Sequence, residues 1–191
     1  MRKAKLSRST KETQIEMELS LDGKGIREVS TGIGFFDHML ELFTVHGGFD
    51  LSVKCKGDLS VDGHHTVEDV GIVLGRLIAK ALGSKDGIER YAHAYAPMDE
   101  ALCRTALDIS GRPYLAFETV LSGMAGEFDA QLTEEFFRAV CVNAGITCHI
   151  DVLRGSNLHH IVEGIFKSFA RALKAAVKVT GKGIPSSKGV L

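Results

Sequence analysis

A five-residue phrase occurs twice in the chain: His64-His65-Thr66-Val67-Glu68 and, 95 residues on, His159-His160-Ile161-Val162-Glu163. Each copy opens an apolar run with helical spacing, through Val70, Val73, Leu74, Leu77 and Ile78 in the first and Ile165, Phe166, Phe169 and Leu173 in the second. Residues four apart on a helix share a face, so His64 lies over Glu68 and His159 over Glu163. The adjacent imidazoles, His65 and His160, project about a hundred degrees away. Each phrase thus offers one His and one Glu to one metal ion and its second His to another, and two phrases suggest two ions. A lone helical histidine is ordinarily a surface or satisfied core residue. A repeated phrase that takes four of the eight histidines is better explained as a ligand set for divalent metal, which imidazole and carboxylate at this spacing supply.

A duplicated phrase implies a duplicated scaffold. Residues 2–9 are basic and polar and fit a short strand. Thr13 to Leu21 alternates, with Ile15, Met17, Leu19 and Leu21 apolar, which is the pattern of a half-buried antiparallel strand. Asp22-Gly23-Lys24-Gly25 reads as a hairpin turn into a strand near Ile26 to Val29. A helix from Phe35 to Phe43 ends at Gly47-Gly48, a strand follows over 50–59, and the His64 helix runs to about Gly83. The second half repeats the order: a strand over Ala101–Ile109, a turn at Ser110-Gly111-Arg112-Pro113, and a strand over Tyr114–Leu121. A loop at 122–129, a helix over Leu132–Ala144, a strand over Ile146–Leu153 and a helix over His159–Val177 complete it. The expected class is α/β (α+β), built of internally duplicated strand–strand–helix–strand–helix units. Each unit is a small sheet with helices on one face, and the helices pack between the two sheets. The halves, about 1–90 and 91–180, are expected to form one compact domain with a functional tail at 181–191.

The repeat points to further ligands. His38 and Glu135 occupy the first helices of the two halves at similar distances before the phrases, and they are the expected additional pair. His149, on a strand, is a weaker ligand candidate, and equally a core or ligand-supporting histidine. His46 precedes Gly47-Gly48 and fits a helix C-terminus, and His93 carries no pattern. The tail, with Pro185-Ser186-Ser187-Lys188-Gly189, is too rich in Gly, Ser and Lys for a core. It can fray, or fold over an anion with hydroxyls, amides and an ammonium as donors.

Composition narrows the alternatives. A net charge of −1 without a long basic block argues against nucleic acid. No apolar run reaches membrane-spanning length. The four cysteines (Cys55, Cys103, Cys141, Cys148) form no CxxC pair, which suits a reducing, cytoplasmic setting.

From end to end the chain resembles the imidazoleglycerol-phosphate dehydratase family of histidine biosynthesis. The resemblance is carried by Lys11-Glu12-Thr13, Gly34-Phe35-Phe36-Asp37-His38-Met39-Leu40, Gly57-Asp58-Leu59 and the first phrase with Asp69. It continues through Pro97-Met98-Asp99-Glu100-Ala101-Leu102, Asp108-Ile109-Ser110-Gly111-Arg112-Pro113-Tyr114, the second phrase, Phe166-Lys167, Arg171-Ala172-Leu173 and Pro185-Ser186-Ser187-Lys188-Gly189. It implies a hydro-lyase with two Mn²⁺ per active site, in a 24-subunit shell of trimers with sites between subunits. By position, one metal takes His38, His65, His159 and Glu163, and the other takes His64, Glu68, His160 and Glu135. Many family members carry His where this chain has Glu135, and a carboxylate also suits Mn²⁺. The resemblance makes Glu12 the base or proton shuttle, with Asp99 a lesser candidate. It makes Arg90, Arg112, Lys167, Ser186 and Lys188 the phosphate contacts.

The implied reaction converts imidazoleglycerol phosphate to imidazole acetol phosphate and water. No carbonyl activates the proton that is lost, so the expected route runs through a metal-bound imidazolate and a diazafulvene-like intermediate. Two other classes share parts of the pattern. A two-metal phosphoesterase would use more aspartate ligands, and a metal-assembled storage shell would need neither Glu12 nor the Lys188 tail.

Overall fold

The computed structural model describes residues 2–189. The first half runs β1 (Lys3–Ser9), β2 (Thr13–Ser20), β3 (Arg27–Ser30), α1 (Gly34–Gly47), β4 (Asp50–Gly57) and α2 (His64–Leu82). The second runs β5 (Tyr91–Met98), β6 (Ala101–Asp108), β7 (Tyr114–Phe117), a short hairpin of β8 (Met124–Ala125) and β9 (Phe128–Asp129), α3 (Leu132–Ala144), β10 (Thr147–Arg154) and α4 (Leu158–Ala176). The two four-stranded sheets have the same order, β1-β2-β4-β3 and β5-β6-β10-β7. The duplication inferred from the phrases is thus a duplication of topology.

Alternation in β2 buries Thr13, Ile15, Met17 and Leu19 and turns Gln14 and Glu16 outward, as a one-sided sheet requires. Three features differ from the sequence reading. Each unit has a leading strand, and β5 in the second half was not foreseen. It lies at a sheet edge, the kind of strand that tolerates Pro97. The Asp22–Gly25 turn does not close a hairpin. The Asp50 carboxylate accepts from the amides of Lys24 and Ile26 and leads the chain across β4, so β3 pairs parallel to β4. The Ser110–Pro113 turn does the same for β7, which pairs parallel to β10. Third, the loop at 122–129 folds into the β8–β9 hairpin.

Each sheet places its helices on one face, and the helices meet in the middle. α2 lies on β1 and β2 and also on α3 of the other half, while α4 lies on β5 and β6 and on α1. The α2–α3 approach is close because Gly71 and Gly75 face it. A Cβ at these positions would lie 2.8 Å from the Phe136 carbonyl oxygen and 2.6 Å from that of Val140. Between the sheets, the Phe137 ring packs tilted at 4.9 Å from both Phe166 and Phe169, and Phe43 of α1 reaches Phe169 at 6.3 Å. Each such ring contributes roughly 1.5–3 kcal/mol by burial, so aromatic packing joins α1, α3 and α4. That cross-half packing sets where the phrases' side chains meet. Among the described residues no helix is long and apolar enough to cross a membrane.

Candidate metal centre

Both phrases begin their helices, as their spacing requires. The Asn157 side chain caps α4 by accepting from the His160 amide, and Asp62 accepts from the His64 amide at 2.7 Å. The first turn of each helix is therefore fixed where the candidate ligands project.

The first cluster joins two halves of the chain. His38 comes from α1, His159 and Glu163 from α4, and their ligand atoms all lie within 4.8 Å of one another. Glu163 Oε2 is 3.1 Å from His159 Nε2 and 3.7 Å from His38 Nε2, and Lys167 pairs with its other oxygen. Burial pushes the Glu163 carboxyl up, but Lys167, His159 and His38 more than reverse this and hold it below the ordinary carboxylate value. Its anion is therefore kept 5% exposed with donors on both sides. The second cluster is looser. His64 Nε2 lies 4.0 Å from Glu68 Oε2, and His64 shares with Glu135 a cleft of about 900 Å³ between the β8–β9 hairpin and the starts of α2 and α3.

The adjacent histidines turn away from both clusters. His65 Nδ1 lies 3.0 Å from Asp58 Oδ2, and its Nε2 is 3.7 Å from Glu12 Oε1. His160 Nδ1 lies 2.7 Å from Glu100 Oε2, with Asp99 3.9 Å from its Nε2. The carboxylates raise both imidazoles above the ordinary histidine value, Asp58 first for His65 and Glu100 first for His160. In return, His160 and the amides of Asn157 and Ser156 bring Glu100 down to about 2. A histidine whose Nδ1 is held by a carboxylate is oriented to bind metal through Nε2. The donors are imidazole nitrogens and carboxylate oxygens with no thiolate, which fits Mn²⁺ among the hard-to-borderline divalent ions.

The basic candidates lie elsewhere. Arg90 donates from Nε and Nη2 to the two oxygens of Asp108 and from Nη1 to the Pro185 carbonyl. Arg112 Nη2 lies 3.8 Å from Asp108, and the Ser186 hydroxyl accepts from the Lys188 amide. Arg90, Arg112, Ser186 and Lys188 thus belong to one region where the tail returns along the start of β5. Glu100 and Asp108 mark opposite ends of β6, and the Arg90 amide reaches the carbonyl of Ala176 at the far end of α4 from His160. By either strand or helix rise, about 25 Å separates His160 from Arg90 within one chain. Of the basic set, only Lys167 joins one of the two candidate clusters. His93 and His149 line a shallow groove on the outer face of the second sheet, away from both clusters. The α1 cap is Gly48, whose amide reaches Thr44 and Val45; His46 sits in the last turn, its ring lowered by burial first and then by Lys167 and Arg171. The sequence reading missed Asp58, Glu100 and Asp108. For Glu100 the repeat carried a signal, since it takes the place in the β5–β6 turn that Glu12 takes in the β1–β2 turn.

Helix-start histidines and carboxylates gathered from two repeats define a chain of the metal-dependent enzyme class. A family model for imidazoleglycerol-phosphate dehydratase matches residues 31–173. The imidazoleglycerol-phosphate dehydratase of Acetivibrio thermocellus is 55% identical, with 100% of this chain and 99% of that protein covered. That of Caldanaerobacter subterraneus subsp. tengcongensis is 56% identical, with both chains covered completely. The crystal structure of the Staphylococcus aureus enzyme superposes with a TM-score of 0.85 at 45% identity, covering 93% of this chain and 99% of that one. The chain belongs to the imidazoleglycerol-phosphate dehydratase family, and it is a hydro-lyase of histidine biosynthesis.

Proposed function

We propose that the chain is a di-manganese imidazoleglycerol-phosphate dehydratase whose active sites are shared between neighbouring subunits. The observation that carries this reading is the divergence of each phrase's two histidines. His159 joins His38 and Glu163, while His160 turns to Glu100; His64 lies over Glu68, while His65 turns to Asp58 and Glu12. One centre takes His38, His159 and Glu163 with His65 from a neighbour. The other takes His64, Glu68 and Glu135 with His160 from a neighbour. The separation of about 25 Å between His160 and Arg90 supports the same sharing. A ring, two hydroxylated carbons and a phosphomethyl group span less than half of it. Assembly as trimers within a 24-subunit shell in the cytoplasm follows the family resemblance, and metal binding and assembly are coupled.

Two bound ions, held by these histidines and carboxylates, would supply Lewis-acid stabilisation of charge on the substrate's ring. Glu12 removes the proton from the carbon beyond the ring-adjacent one, the hydroxyl of the ring-adjacent carbon leaves and is protonated to water, and the resulting enol becomes the ketone. Glu12 is half-exposed beside His65 and is free to move a proton. Arg90, Arg112, Lys167, Ser186 and Lys188 receive the phosphate, the guanidinium groups as bidentate partners.

The test is turnover of imidazoleglycerol phosphate by chelated protein before and after adding Mn²⁺. Ketone formed only with metal is expected, and it should fall by a factor on the order of 100 or more in Glu12→Gln. Release of inorganic phosphate instead of ketone would point to a phosphoesterase.

A further inference from the structure

Asp69 follows the first phrase directly and is 6% exposed. Its Oδ2 accepts from Arg8 Nη1 and from the Thr13 hydroxyl, each at 2.5 Å. Arg8 lies at the end of β1 and Thr13 begins β2, so the two bonds grip both sides of the turn that carries Glu12. Inside that turn the Thr10 hydroxyl accepts from the amides of Glu12 at 3.1 Å and Thr13 at 2.9 Å, and lies 3.3 Å from the Thr13 hydroxyl. A continuous hydrogen-bonded path therefore runs from α2 to the backbone of Glu12.

The duplication supplies an internal control. The ladders pair Arg8 with Ile15 and Ala96 with Cys103, and the phrases align His64 with His159. In that register Arg8, Thr13 and Asp69 correspond to Ala96, Ala101 and Gly164. All three polar groups are absent together from the second half. Helix and strand instead meet directly there, a Cβ at Gly164 falling 2.9 Å from Cys103 Sγ. The turn residue that corresponds to Glu12 is Glu100, and it is gripped through its own carboxylate by His160 and the amides of Ser156 and Asn157. Among the described residues the one ion-pair contact of Glu12 is His65.

We propose that Asp69, with Arg8 and Thr13, is a positioning network that fixes the backbone of the β1–β2 turn so that the Glu12 carboxylate stands beside His65 unencumbered. The inference rests on the reading of Glu12 as the proton-transferring group. Donors on a carboxylate's own oxygens occupy the lone pairs with which it would take a proton. The oxygens of Glu100 are occupied in this way by His160 and two amides, and those of Glu12 are not. Fixing the backbone holds the group in place and leaves its oxygens free.

The test compares Glu12→Gln, the triple variant Arg8→Ala, Thr13→Ala, Asp69→Ala, and all four changes together. The triple variant leaves no unpaired buried charge, and the second half shows that this backbone accepts small residues at these places. The expected triple variant keeps wild-type Mn²⁺ content, particle size and KM, while kcat falls roughly 10- to 100-fold, as a misplacement near 1 Å produces. In the Glu12→Gln background the triple change should cost less than about 2-fold more, since coupled residues are not additive. Wild-type kcat in the triple variant beside an impaired Glu12→Gln would overturn the network alone, as would an equal loss in both backgrounds. Normal turnover by Glu12→Gln would overturn both the role of Glu12 and the inference built on it. Thr13→Val keeps the side chain's shape and breaks only the hydroxyl link. It should lower kcat several-fold with metal content unchanged, and Thr13→Ser should restore it.

Discussion

His160 Nδ1 lies 2.7 Å from Glu100 Oε2, which leaves Nε2 as the nitrogen that faces outward. The same carboxylate accepts the amides of Ser156 and Asn157 at the start of α4, so Glu100 orients the ring and seats the helix that carries it. Glu100→Ala is expected to weaken Mn²⁺ binding by roughly 10- to 100-fold, measured by competition with a metal indicator. The effect should exceed that of Asp99→Ala, whose oxygen stands 3.9 Å from the outward nitrogen. Equal effects would remove the orienting role.

Arg90 is 8% exposed and ties Asp108 to the tail carbonyl of Pro185. Arg90→Ala should therefore raise KM by about 10-fold or more, expose the 181–189 segment to limited proteolysis, and leave Mn²⁺ content intact. Loss of a charge-assisted bond of this kind is worth roughly 1.5–3 kcal/mol. Unchanged cleavage of the tail would show that the Pro185 contact does not hold it.

The thiols give a pH prediction with a defined sign. Burial pushes Cys103 up to about 12 and, aided by Asp69 and Asp37, Cys55 up to about 11. The folded chain thus holds these protons to higher pH than the unfolded chain, whose thiols titrate near 9. Their contribution is fully present below that value and is lost as pH rises from there through the folded values, about 1.4 kcal/mol for Cys103 by pH 10. At pH 8 the buried Cys103, Cys141 and Cys148 should resist maleimide labelling unless denaturant is added, with Cys55 reacting slowly. Rapid native labelling of Cys103 would contradict the packing described.

Gly75 is the tightest point of the α2–α3 contact. Gly75→Val forces the helices apart and should cost roughly 1–3 kcal/mol, read as a lower unfolding midpoint. Gly83→Ala meets no neighbouring atom but sits at φ 56°, ψ −123° after α2, so a purely conformational loss of about 1–3 kcal/mol is expected there.

The chain's chemistry was easier to read than its connectivity. The phrases, the β2 alternation and the glycine-ended helices each carry a local period, so the duplicated unit and the helix positions of the candidate ligands could be read directly. The parallel pairing of β3 with β4 could not, because Asp22–Gly25 has the composition of a hairpin turn and only the distant Asp50 redirects it. β5 offers Ala, His, Tyr and Pro at a sheet edge, with no strong pattern to detect. Asp58 and Glu100 look like ordinary turn acids until the fold brings each to an imidazole nitrogen. Arg90 reads as a surface charge, and its burial against Asp108 and the tail is a tertiary fact. The placement of His38 beside Glu163 likewise depends on α1 crossing to α4 of the other half.

The most direct test of the account is diffraction from crystals grown with Mn²⁺, measured at the manganese edge. Two anomalous peaks are predicted per active site. One should lie on His38, His159 and Glu163 with His65 of a neighbouring subunit, and the other on His64, Glu68 and Glu135 with His160 of a neighbouring subunit. A peak bound by both histidines of one phrase, or a centre complete within one chain, would contradict it.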